Sequence, residues 1–123
     1  MNTKGLLATY CHTHLDRKWR PNTRISLDEY KAIIAHMKNH KVRGVTICYL
    51  TNLDKEPLSV GYSICTFKDN YSRTKGREIA FKRAFITFKS NKPIETSHNG
   101  YKLISHAYNE DEKAEIISEI RDK

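Results

Sequence analysis

VRGVTICYLTNLDKEPLSVGYSICTF, residues 42 to 67, is two runs of β-branched and aromatic residues joined by Leu53-Asp-Lys-Glu56. Val42 to Asn52 and Pro57 to Phe67 have strand composition, and the four-residue joint suits a hairpin. Within the first run Val45, Ile47 and Tyr49 alternate with Thr46, Cys48 and Leu50, so both faces are at least half apolar. A sheet covered on one side by helices uses such a pattern.

Upstream, residues 5 to 11 (GLLATYC) read as a strand. Residues 12 to 25 read as a loop, with Pro21 and the bases Arg17, Lys18, Arg20 and Arg24. Ser26-Leu-Asp-Glu29 is a capping box, flanked by Ile25 and Tyr30 at staple positions. Leu27, Tyr30, Ile33, Ile34 and Met37 then share one face of a helix ending near His40. Downstream, Asn70 or Ser72 can cap a helix running to about Phe85 or Phe88, and Asn91-Lys-Pro breaks it. Ser97 to Gly100 marks a turn before a strand from Tyr101 to Ala107. Asn109-Glu-Asp-Glu112 is a second capping box, opening a helix with an Ile116, Ile117 and Ile120 stripe. The expectation is an α+β fold, with a small antiparallel sheet of about four strands, about three helices packed on it, and one domain over residues 1–123.

An apolar fraction of 38% with 29% charged residues is ordinary for a globular protein. No apolar run is long enough to span a membrane, and MNTKGLLATYCHTH lacks the apolar stretch of a signal peptide. A soluble, cytoplasmic protein is expected. Cys11, Cys48 and Cys65 read as small buried hydrophobes of a reducing compartment. A Cys48–Cys65 disulfide across the hairpin is geometrically conceivable.

The chain carries a net charge of +8, unevenly spread. Residues 110–123 hold six acids and three bases, whereas residues 68–92 hold eight bases against Asp69 and Glu78. Such a basic segment concentrates anions around it. Within it, Ser72 and Lys75 flank Arg73, and Arg77 follows four residues later, one helical turn on. Helix starts present unpaired amides and the positive end of the dipole. Two guanidinium forks there can grip a phosphate bidentately. Gly76 costs about 1 kcal/mol inside a helix relative to alanine. It is retained for close approach, either of a ligand or of the underlying strand. Arg73, Arg77, Lys75, Gly76, Ser72 and Arg83 are therefore the candidate phosphate-binding residues. The competing reading makes Ile79, Ala80, Ala84 and Phe85 the buried stripe and the arginines a solvated opposite face.

Other chemistries fit less well. Cys11, His12 and His14 could ligate a metal, as could His36 and His40 at helical i, i+4 spacing. In a strand, however, His12 and His14 face away from Cys11, and His36 lacks the adjacent glutamate of a hydrolytic zinc motif. No metal or other cofactor is expected. No nucleophile elbow or P-loop occurs, and Asp69 reads as a turn or capping acid, so no catalytic activity is expected. Two alternatives to a small nucleotide remain open. One is nucleic acid, held by the charges of residues 17–24 and 68–92 with Trp19, Tyr71 and Phe81 stacking on bases. The other is an acidic host protein.

The stretch Ile64-Cys-Thr-Phe-Lys-Asp-Asn-Tyr-Ser-Arg-Thr-Lys-Gly-Arg-Glu-Ile-Ala-Phe-Lys-Arg-Ala84 resembles a segment of small phage-encoded accessory proteins. There it reads as a strand, then Asp-x-aromatic-Ser-Arg/Lys-Lys-x-Gly-Arg-x-Ile-Ala-x-x-Arg-Ala. The Thoeris anti-defence sponge proteins, which sequester cyclic ADP-ribose isomers, are the family it is similar to. The resemblance implies a non-enzymatic homodimer or higher homo-oligomer in the host bacterial cytoplasm. It further implies a nucleotide held between subunits with Arg73 and Arg77 on its phosphates, and an aromatic ring on its adenine for which no position here matches. It covers residues 64–84 and aligns nothing after Asn91.

Overall fold

A computed structural model describes residues 5–15, 26–66 and 72–121. The bases expected in the first loop, together with Trp19, Asp69 and Tyr71, lie outside the described residues. The elements run β1 (Leu6–His14), α1 (Leu27–Asn39), β2 (Val42–Asn52), β3 (Pro57–Thr66), α2 (Arg73–Ser90), β4 (Ile94–His98), β5 (Tyr101–Ala107) and α3 (Glu110–Arg121). The five strands form an antiparallel sheet in the order β1-β2-β3-β5-β4. The fold is α+β.

The β2–β3 hairpin is the frame. Its joint is tied by Asn52, whose Oδ1 accepts from the amides of Asp54 at 2.9 Å and Glu56 at 3.0 Å. Lys55 takes the left-handed backbone that closes it. β1 lies along β2 in unbroken register from Leu6↔Asn52 to His14↔Gly44, running three residues past the end of the strand expected at residues 5–11.

β2's alternation sends residues to two separate cores. Cys48 and Leu50 pack with Ala80 and Ala84 of α2, joined by Leu6, Ala8, Tyr10, Phe81 and Phe88. Val45 and Ile47 point the other way, with Val42, to meet Met37 and Ile34 of α1. The sheet is therefore covered on both faces, not one. Apolar β2 residues on both sides require that arrangement, because each row must leave water. α1 begins at its Ser26 cap, whose Oγ accepts from the Glu29 amide at 3.1 Å. Its inward stripe is narrower than the periodicity implies: Met37 and Ile34 reach the core while Leu27 and Ile33 stay exposed.

α2 sits unusually low on the sheet. A Cβ at Gly61 would fall 2.0 Å from the Ala80 carbonyl oxygen and 2.5 Å from the Ala84 nitrogen. One at Gly76 would fall 2.5 Å from Thr46 Oγ1. Small residues on both surfaces permit this approach, and Ser59 Oγ donates to the Ala84 carbonyl at 2.7 Å across it.

β4 is the strand beyond those expected. It pairs with β5 from Ile94↔Ser105 to His98↔Tyr101, around a turn with Asn99 at φ 49° and Gly100 at φ 83°. Two consecutive left-handed residues make the tight hairpin turn that Asn-Gly favours. β5 joins β3 at only two paired positions, Ser59↔Ala107 and Val60↔His106. Beyond them the Tyr62 amide donates to Ser105 Oγ at 3.0 Å, and Arg83 Nη1 donates to the Tyr62 carbonyl at 2.7 Å. α3 opens on the expected reciprocal box: the Glu112 amide donates to Asn109 Oδ1 at 2.8 Å and the Asn109 amide to Glu112 Oε1 at 3.2 Å.

The rims differ. β1, at one edge, holds nine residues (LLATYCHTH) with no formally charged side chain and no proline. β4, at the other, holds five and carries Glu95, which meets Lys102 of β5 at 3.6 Å.

Candidate functional site

Helical phase decides where the cations of α2 go. Ala80, Ala84 and Thr87 are buried and, with the half-buried Gly76, form the contact line on the sheet. Ile79 is half-buried, and Phe85 stands nine positions from Gly76, about two and a half turns, so it projects away from the sheet. Of the expected stripe of Ile79, Ala80, Ala84 and Phe85, the two alanines are fully buried; Thr87 joins them, with Gly76 on the same line, while Ile79 and Phe85 are only half-buried. Lys75 and Lys82 share the outward face with Phe85. Arg77 does not.

Arg77 lies about a quarter-turn from Gly76 on the β1 side of the contact line. It is exposed, and its guanidinium stands 5.9 Å from the centroid of the Tyr10 ring. Among the described residues no carboxylate pairs with it, and the first turn of α2 has no acid. Tyr10 faces α2 because strand alternation puts Leu6, Ala8, Tyr10 and His12 on one side of β1. Burial and the neighbouring Cys48 push the Tyr10 hydroxyl above the ordinary tyrosine range, and Arg77 pulls back against them. Two residues along, His12 Nδ1 shares a hydrogen bond of 3.0 Å with Thr46 Oγ1, the atom directly beneath Gly76.

The six sequence-predicted residues fall into four groups. Ser72 is the N-cap: its Oγ accepts from the Lys75 amide at 3.2 Å. Lys75, Arg77 and Arg73 follow in the first two turns; the Arg73 side chain lies outside the described residues. Gly76 is explained by the underlying strand. Arg83 lies on the β5 flank, half-buried, bonded to Tyr62, its pKa lowered by desolvation. α2 therefore separates Arg83 from Arg77 rather than joining them.

Sequence reading missed Tyr10, His12 and Thr46. The strand assignment for residues 5–11 carried half of the signal, since alternation through Tyr10 extends to His12. Thr46 needs the depth of α2 on the sheet, which no local pattern encodes.

The remaining candidates lie elsewhere. Cys11 is exposed rather than buried, and all three thiols are free. Cys48 opposes Gly61 and Cys65 opposes Gly44, so the two are not cross-strand partners. Burial pushes the Cys48 thiol up to about 11, which leaves it protonated and inert near neutrality. His36 and His40 pack edge-on at 4.5 Å, His36 lies 5.0 Å from the Tyr101 ring, and His40 Nδ1 hydrogen-bonds the Asn99 carbonyl. They brace α1 against the β4–β5 turn. Among the described residues no group of His, Cys, Asp or Glu could hold a metal ion. A depression of about 290 Å³ lies along α1, lined by Tyr30, Lys31, Ile34, Ala35 and Lys38, with no residue of α2.

No protein-family model, curated protein or solved structure matches the chain. Among the described residues no helix is long and apolar enough to cross a membrane.

Proposed function

We propose that the corner between the start of α2 and β1 holds the phosphates of a small nucleotide, and that the protein acts as a non-catalytic binder that sequesters it. The observation that carries this reading is the setting of Arg77. It sits beside the buried seam, against an aromatic ring, with no acid in the first turn to neutralise it. Cations near a helix start are unfavourable without an anion, because they face the positive end of the dipole. A phosphate relieves that cost and gains charge-assisted hydrogen bonds from guanidinium and amides. Arg73, one turn back along the chain, is the second guanidinium that the sequence offers for this role. Tyr10 offers the ring that a nucleotide base or sugar packs on. Removal of a nucleotide immune signal from a host cell is the role to which the resemblance of residues 64–84 points.

The test is a melting screen against linear and cyclic nucleotides. A ligand that binds only the native state stabilises it by mass action, by about 2.7 kcal/mol at a hundredfold excess over Kd. One phosphate-rich nucleotide is expected to raise Tm by several degrees. Arg77→Glu is expected to abolish that rise with an unchanged circular dichroism spectrum, and Lys82→Glu on the outward face to preserve it. A screen with no shift, or a shift that survives Arg77→Glu, removes this corner from the function.

A further inference from the structure

The outward face of α2 carries a second pattern, independent of the arginine corner. Lys75, Lys82 and Lys89 recur every seven residues and are all exposed. Seven residues bring a straight helix back to within about 20° of its starting direction, so the three ammonium groups form one line about 21 Å long. Lys92 is exposed just past the left-handed C-cap Asn91. The helix's one acid, Glu78, lies on the same face, three residues after Lys75 and four before Lys82, and leaves the line with a net charge of +2.

Aromatic surface runs through this line. Phe81 and Phe88 reach down to the α2-side core. Phe85 projects the opposite way from Gly76, between Lys82 and Lys89, and is only half-buried. Its ring stacks on Phe81 at 6.1 Å and has Lys89 Nζ 5.8 Å from its centroid. Ile86 beside it is also exposed. A phenylalanine that leaves the core to stand among lysines gains little from folding, because its transfer out of water is incomplete. The part of its ring that stays in solvent is apolar surface set among cations.

We infer that the Lys75–Lys82–Phe85–Lys89 face of α2 is a docking surface for single-stranded nucleic acid. The charge is complementary to a phosphodiester backbone. The line of lysines matches roughly six stacked nucleotides of one strand at about 3.4 Å each. Phe85 supplies a platform that accepts any unpaired base. A duplex is the poorer fit: its bases are already stacked on one another, and the face has no Arg, Asn or Gln to read a groove.

Fluorescence anisotropy with a labelled fifteen-nucleotide oligo-dT tests this on the full chain, with a duplex of equal length as comparison. The single strand is expected to bind more tightly than the duplex. Its log affinity is expected to fall by about two units per decade of salt, from roughly 0.7 per neutralised phosphate over three lysines. Lys82→Gln with Lys89→Gln is expected to weaken binding at least tenfold. Phe85→Ala is expected to weaken it about tenfold, and Phe85→Trp to restore it. Arg77→Glu is expected to leave most of the affinity, which separates this face from the nucleotide corner. Tighter duplex binding, no binding at 50 mM salt, or affinity unchanged in both the glutamine pair and Phe85→Ala would overturn the assignment. So would a loss confined to Arg77→Glu.

Discussion

At the scale of single residues, two glycines do opposite kinds of service at one interface. Both let α2 sit low on the sheet, but they are blocked by different atoms. A methyl group at Gly61 meets the backbone of α2, at 2.0 Å from the Ala80 oxygen, and cannot be accommodated without lifting the helix. At Gly76 it meets Thr46 Oγ1, the end of a short side chain that can rotate if it gives up His12. The helix also gains about 1 kcal/mol when its glycine becomes alanine. Gly61→Ala is therefore expected to destabilise by roughly 3 kcal/mol, at the top of the usual overpacking range. Gly76→Ala is expected to cost less than about 1.5 kcal/mol, since the propensity gain offsets part of the strain. Urea denaturation of the two variants checks the order, and equal costs would contradict this account of the seam.

At the scale of elements, the shortest strand pairing is between β3 and β5. Two ladder positions hold it, and the Tyr62 peptide is then satisfied by side chains from two other places, Ser105 and Arg83. Arg83→Met keeps the stem's packing but leaves the partly buried Tyr62 carbonyl without its donor, at a cost of about 1 kcal/mol, the low end for an unsatisfied acceptor. The expected result is a lower Tm with the nucleotide-induced shift intact; loss of the shift instead would return Arg83 to the phosphate site. The sequence carried most of the elements because their signals are local: two capping boxes, an alternating hairpin, and a run of helix formers closed by Asn91-Lys-Pro. β4 was not legible from Ile94-Glu-Thr-Ser-His98, which is short and mostly polar. The signal for it lay next door, in Asn99-Gly100, the dipeptide that most often turns one strand back on another. The site was legible only on its helical side. Arg77 and Ser72 could be found by spacing, whereas Tyr10 and Thr46 come from strands more than twenty-five residues upstream. Their approach depends on how deep a Gly-Ala-Ala-Thr stripe lets a helix settle.

At the scale of the whole molecule, burial has been applied repeatedly to groups that ionise in alkali. Cys48 is raised from 9.0 to about 11, and Tyr10, Tyr62, Tyr101 and Tyr108 are all raised from 10.0, chiefly by desolvation. Each keeps its proton longer in the folded chain than in the unfolded one. Above pH 9.0 the native state therefore binds more protons, and stability falls as pH climbs from the unfolded values through the raised ones. Tm is expected to be level between pH 7 and 8.5 and to fall progressively by pH 11, with Cys48→Ala flattening the first part of the fall. A Tm independent of pH up to 11 would contradict the burial of these groups. A last consequence comes from the outer rim of β1. Among the described residues no strand pairs with the outer side of β1, whose nine residues carry no formal charge, no proline and no bulge; an edge strand lacking those guards is a template for another extended polypeptide. Mutual repulsion between molecules carrying +8 guards it instead. That guard reaches about 10 Å at 0.1 M ionic strength and only about 3 Å at 1 M. Colloidal lifetime in concentrated stocks is thus governed by the buffer's salt, and one lysine placed on that rim would take over the task.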